Sequence, residues 1–193
     1  MSWDPSMLPR HVLAAAVLLR DTAGRVLLVE TPYRAEPVLP GGVVEDGESP
    51  ATAAGREVHE ETGLTIPVGR LLVVQAVPAR PDRPATIQFV FATPAVPVDG
   101  PLVPQPGEVA ALRWWTPVDA VRQTAAWGAD RLAAALRCEA DGSTAYLDGP
   151  PADVDGLIAG LPCVVVGSAA VQVPGGGKPA TTRGNGPAGV GGG

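Results

Sequence analysis

Apolar runs separated by Gly- and Pro-rich turns mark out most of the chain. Residues 11–20 (HVLAAAVLLR) and 25–30 (RVLLVE) flank the turn signal Asp21-Thr22-Ala23-Gly24, a pattern that predicts a β-hairpin. Residues 31–39 then form a loop carrying Tyr33 and Arg34. Further strands are predicted over residues 70–78 (RLLVVQAVP), 85–93 (ATIQFVFAT) and 108–115 (EVAALRWW), with a Pro-rich loop over residues 94–107. Thr116 and Pro117 suit the cap and first position of a helix. A second helix is expected over residues 129–138, with Leu132, Ala135 and Leu136 on one side. A short strand at 143–147, a helical turn or two at 152–161 and an apolar strand at 162–167 follow. Trp114 and Trp115 should point to opposite faces of their strand, and Phe89 and Phe91 should share one core-facing side.

One stretch breaks this strand rhythm. Residues 40–64 (PGGVVEDGESPATAAGREVHEETGL) read as a Gly-rich loop, a helix of about 13 residues, and a stop. Ser49 is a good N-cap, Pro50 costs nothing at the first helical position, and Gly63 stands where a left-handed residue ends a helix. Stepping about 100° per residue from Glu57 puts Glu61 roughly 40° to one side and Glu60 roughly 60° to the other. The three carboxylates therefore share a face, while Ala51, Ala54 and Val58 form a separate apolar stripe. Arg56 is one helical turn before Glu60 and within reach of an ion pair. His59 points away from the acidic face. Like charges one turn apart repel by a few tenths of a kcal/mol, and a hard divalent cation such as Mg²⁺ would reverse that cost.

Composition narrows the partners. The net charge is −6 and the pI about 4.8, which argues against a nucleic-acid polymer or an anionic membrane as partner. A nucleotide is still compatible, because bound metal inverts the local charge. The only lysine is Lys178, so protein contacts to phosphate must come from arginines. Cys138 and Cys163 are expected to be free thiols, and the absence of a basic-then-apolar leader points to a cytoplasmic protein. Gly175-Gly176-Gly177-Lys178 is not a phosphate-binding loop. Pro179 replaces the required hydroxyl residue, Gln172 replaces the first glycine, and no helical pattern follows.

Gly42, Glu48, Arg56, Glu57, Val58, Glu60, Glu61, Gly63 and Leu64 fill every fixed position of the pattern G-x5-E-x7-R-E-U-x-E-E-x-G-U, with U aliphatic. This segment resembles the Nudix box, the signature of the Nudix hydrolases. The resemblance implies an α/β fold, an α/β/α sandwich with a mixed β-sheet between helices. It implies Mg²⁺, or Mn²⁺ in its place, as cofactor, with Glu57, Glu61, Glu60 and the carbonyl of Gly41 as metal ligands. Arg56 matches the residue that orients a box carboxylate, and Glu48, counted with the substrate-binding residues, matches the loop glutamate that often bridges to the metal through water. Glu60 or Glu108 would be the general base, and Arg34 a phosphate contact. The implied activity is hydrolysis of the pyrophosphate bond of a nucleoside diphosphate linked to another moiety: a nucleoside triphosphate, an oxidised nucleotide or an ADP-ribose type compound. A catalytically silent nucleotide-sensing module and a purely structural acidic domain are the rival readings.

The expected organisation is a hydrolase domain over residues 1–139 and an extension over residues 140–173. The extension is expected to pack either on the core or against a second copy of the chain as a homodimer. From about Pro174 the chain is Gly-rich with almost no apolar content, and residues 174–193 are expected to be disordered.

Overall fold

A computed structural model of the chain describes residue 8, residues 10–98 and residues 100–162. The strand expected at 162–167, Cys163 and the Gly-rich tail lie outside the described residues.

Eleven elements occur among the described residues: β1 (Val12–Leu18), β2 (Val26–Glu30), β3 (Gly41–Val43), α1 (Pro50–Thr62), β4 (Leu71–Val77), β5 (Thr86–Ala92), β6 (Ala111–Trp115), α2 (Pro117–Gln123), α3 (Ala126–Asp141), β7 (Ala145–Leu147) and α4 (Val154–Ala159). Five strands form a mixed sheet in the order β3-β1-β5-β4-β7, and β2 and β6 form a separate antiparallel pair. In the main sheet β1 runs parallel to β5 and antiparallel to β3, while β4 is antiparallel to β5 and parallel to β7.

Strand alternation divides the core in two. Ala15, Val17, Leu19 and Phe91 turn to one side with Ala53, Ala54 and Val58 of α1. Leu18, Val90, Leu72 and Val73 turn to the other with Leu132, Ala133 and Leu136 of α3, and with Ala120 and Val121 of α2. Ala51 lies partly buried on the first cluster. Helices therefore cover both faces, and the α/β/α architecture expected from the sequence is present. α4 sets Leu157 into the second cluster, and β7 extends the sheet beyond β4. The tryptophans separate as expected, Trp114 to the α1 side and Trp115 to the α3 side. Phe89 and Phe91 both pack on the α1 side.

The hairpin is corrected. The turn at residues 21–24 closes, with Arg20 bridged to Val26 and Leu27 N donating to Leu19 O at 3.0 Å. Beyond it β1 joins β3 and β5 while β2 joins β6. Asp21 locks the turn: Oδ1 accepts from the backbone N–H of Ala23 and Arg25, and Oδ2 accepts from Arg25 Nε at 2.6 Å. That pair is buried, with the side chains 4% and 0% exposed. The strand expected from residue 108 begins instead at Ala111, leaving Glu108 in the preceding turn. β3 falls in the stretch whose glycines predict a loop. It is three residues long and glycine-led, and it becomes a strand only by pairing Gly41, Gly42 and Val43 with Ala16, Ala15 and Ala14.

Candidate active site

α1 runs from Pro50 to Thr62, with both caps where the sequence puts them. Ser49 Oγ accepts from Thr52 N at 3.2 Å, and Gly63 at φ 74° closes the C-terminus by donating to His59 O. The apolar stripe fixes the rotation of the helix on the sheet and turns the glutamates toward β3. Contact there is close. A Cβ on Gly42 would lie 2.3 Å from Glu57 Oε1, so glycine is what leaves room for that carboxylate. Gly41 N donates to Glu61 Oε2 at 2.9 Å.

Arg56 is the hub of the acidic side chains. It grips Glu48 in a two-bond fork, Nε to Oε1 at 3.1 Å and Nη2 to Oε2 at 3.0 Å. Its Nη1 reaches Glu57 Oε1 at 2.9 Å and Glu60 Oε2 at 3.1 Å, and Nη2 also donates to Val43 O at 3.1 Å. The expected Arg56–Glu60 pair is thus one contact of five. The bond from Arg56 holds the Glu48 carboxyl below the usual range, and the same contact keeps Arg56 protonated well above its ordinary value.

The glutamates facing β3 behave differently. Burial pushes Glu57 up; Arg56 opposes the shift, and the charges of Glu60 and Glu108 reinforce it. Burial pushes Glu61 up to about 8, with the Gly41 N–H opposing and Glu57, Glu108 and Glu60 reinforcing. Glu108 therefore stands close enough to be felt by both, although it comes from an exposed turn far along the chain. His59 is exposed and pairs with Thr65 Oγ1 at 3.2 Å.

Among the described residues no three His, Cys, Asp or Glu side chains already close on one point as an ion's ligand set. Arg56 stands among Glu48, Glu57 and Glu60, and Glu61 is turned to Gly41 N. The donor set nonetheless fits a hard cation: the donors are oxygens, Arg56 alone faces three carboxylates with two more nearby, and Glu57 and Glu61 are destabilised in their charged form. Arg34 is exposed beside the Tyr33 ring, its guanidinium carbon 6.0 Å from the centroid, and makes no hydrogen bond or ion pair with the acidic group.

Sequence reading passed over a second polar group, built by Gln75 of β4 with Asp130 and Arg131 of α3. The available signal was a glutamine at a core position of an otherwise apolar strand. No helix among the described residues is long and apolar enough to cross a membrane.

A family model described as NUDIX domain matches residues 10–136. The chain is 41% identical over 84 residues to the ADP-ribose pyrophosphatase of Methanocaldococcus jannaschii, a match covering 42% of this chain and 50% of that protein. It is 31% identical over 128 residues to the MutT-like protein of Streptomyces ambofaciens, covering 66% of this chain and 79% of that one. The chain thus spans half the length of the first of these relatives and about four fifths of the second. The crystal structure of the MutT protein from Methanosarcina mazei Go1 superimposes with a TM-score of 0.59 at 22% identity, covering 69% of this chain and 98% of that one, a likeness of fold.

Proposed function

The chain belongs to the NUDIX domain family, and on that premise we propose that it is a divalent-metal-dependent hydrolase. Its substrate is a nucleoside diphosphate linked to another moiety, cut at the pyrophosphate bond. The observation that carries this reading is the crowding of Glu57, Glu60 and Glu61 beside Arg56, Gly41 and Gly42, with Glu108 near enough for its charge to be felt by Glu57 and Glu61. A surface that only needed solubility would not bury two of these carboxylates against each other's charge.

Glu57, Glu61, Glu60 and the Gly41 carbonyl are the groups that would hold Mg²⁺ or Mn²⁺. When bound, the ion supplies charge for the diphosphate and lowers the pKa of a water. Glu60, the most exposed of the helix carboxylates with 43% of its side chain open, or Glu108 takes the proton of the attacking water. The water oxygen bonds to phosphorus, the bridging P–O bond breaks, and two phosphate products leave. Arg56 keeps Glu48, Glu57 and Glu60 in fixed relative positions, so the negative field is present before substrate arrives. Arg34, on the loop that leads into Gly41, is the arginine this reading assigns to a phosphate.

The relatives' names support the substrate class: one is an ADP-ribose pyrophosphatase and another is MutT-like. The test is a panel of ADP-ribose, nucleoside triphosphates and 8-oxo nucleotides with Mg²⁺ or Mn²⁺, scoring phosphate products and repeating each assay in chelator. Metal-dependent cleavage of at least one compound is expected. Binding without cleavage across the panel would replace the hydrolase reading with that of a silent sensing module.

A further inference from the structure

The chain between β5 and β6 ends in the turn that carries Glu108. Near its start Val96 is tied to the turn after β1, accepting from Thr22 N at 2.8 Å and donating to Arg20 O at 2.9 Å. At its end Ala110 N donates to Glu30 O at 2.7 Å. Between these points, among the described residues, one main-chain bond leaves the loop: Val103 N donates to Thr62 O at 2.8 Å. Thr62 is the last residue of α1, so its carbonyl has no donor within the helix.

The contact is shaped from both sides. Thr62 is fully buried, and its Oγ1 donates to Val58 O at 2.6 Å and accepts from Leu64 N at 3.2 Å, which fixes the end of the helix. Gly63 stands in the left-handed region at φ 74°, and a Cβ on it would lie 3.0 Å from Val103 Cβ. Glycine there ends the helix and also lets Val103 close on it. Val103 is 65% exposed, so its side chain adds little to the core. Leu102 and Val109, by contrast, pack on the cluster that holds Val58 of α1. Pro101, Pro104 and Pro106 restrict the backbone around the anchor, so a hold on Val103 is carried along to Glu108. The turn there closes with Val109 N on Gln105 O at 3.1 Å. From this turn the charge of Glu108 reaches Glu57 and Glu61.

We propose that Val103 is a positioning residue of the active site: seated on Gly63 and bonded to Thr62, it latches the loop to the acidic helix and so sets Glu108 against the glutamates. The inference rests on the metal-dependent hydrolase reading above. A helix cap alone would need only a donor at Thr62 O and would be indifferent to the residue at position 108. A latch makes the effect of Val103 depend on Glu108, and a double-mutant cycle measures that dependence.

The full chain is titrated calorimetrically with Mn²⁺ alone, as wild type, Val103→Pro, Glu108→Gln and the double variant. The values of kcat and KM are then measured on whichever panel compound is cleaved. Glu108→Gln removes one negative charge from the site and should weaken Mn²⁺ binding about threefold and lower kcat at least about tenfold. Val103→Pro lacks the N–H donor and should reproduce both losses with KM little changed. In the Glu108→Gln background it should add nothing to either. Val103→Ala, which keeps the N–H and empties the contact on Gly63, gives a second reading if Val103→Pro does not fold, and Val103→Ile should restore wild-type values. Wild-type Mn²⁺ affinity and kcat in both Val103→Pro and Val103→Ala, or losses that add in full to those of Glu108→Gln, would overturn the assignment. A wild-type chain that binds no Mn²⁺ would overturn it together with the hydrolase reading. Cleavage of no panel compound, with the Mn²⁺ affinities in the expected order, would sink the hydrolase reading and leave the latch standing.

Discussion

Two arginine–carboxylate clusters in this molecule teach different lessons. At the turn after β1, Arg25 and Asp21 are four residues apart, buried, and bonded to each other. Around α1, Arg56 alone meets Glu48, Glu57 and Glu60, with Glu61 and Glu108 adding their fields nearby. The first is balanced and closes a turn. The second is overloaded with negative charge and half open to water, an arrangement that stabilises the fold poorly and suits a cation. Imbalance, more than the presence of ion pairs, separates a site from a brace.

The contrast is sharpest if the balanced pair is broken. Asp21→Ala takes the carboxylate away from a buried guanidinium and also removes two backbone bonds, so about 3–5 kcal/mol should be lost. Urea unfolding should show the loss equally with and without Mg²⁺; recovery by Mg²⁺ would place the two clusters in one class. Next in size, Glu61→Gln, and likewise Glu60→Gln, should lower turnover on whichever panel compound is cleaved by at least about tenfold, roughly 1.4 kcal/mol. The Tm should stay near wild type, the reverse of the Asp21 pattern. Unchanged rates in both variants would remove the assigned roles.

Arg56→Gln comes third. Its side chain is 26% exposed, so the direct loss should be modest, about 1 kcal/mol in the metal-free protein. Added Mg²⁺ should return part of it, because a cation then stands against carboxylates that have lost their partner. The smallest effect is in pH. Glu61 is raised by burial to about 8, so the folded protein binds a proton there that the unfolded chain releases near the ordinary carboxylate value. The contribution is full below that unfolded value and is lost as pH rises through about 8. The Tm without metal should fall by a few degrees between pH 5 and 9, and Glu61→Gln should flatten the slope; a wild-type Tm that rises over this window would contradict it.

The acidic helix was legible from cap to cap. Ser49, Pro50 and Gly63 act on backbone groups within one turn of themselves, and the angle between Glu57 and Glu61 follows from helical pitch. The apolar runs of β1 and β5 likewise announced strands. β3 left no such trace, because two glycines and a valine carry no strand preference of their own. The splitting of the expected hairpin was equally hidden: residues 11–30 show two apolar runs and a turn, and nothing in them says that each run pairs with a strand 74 to 89 residues away.

By itself, then, the sequence determined the helix, the face its glutamates share, the family they belong to and the layered α/β arrangement. Tertiary structure decided what those glutamates meet: Gly42 leaving room for Glu57, the Gly41 N–H on Glu61, Glu108 arriving from a distant turn, and Arg131 fastened to Gln75 across 56 residues. The reason is range. Caps and helical spacing act over four residues, whereas the field at a carboxylate sums over every charge and dipole that folding brings near it.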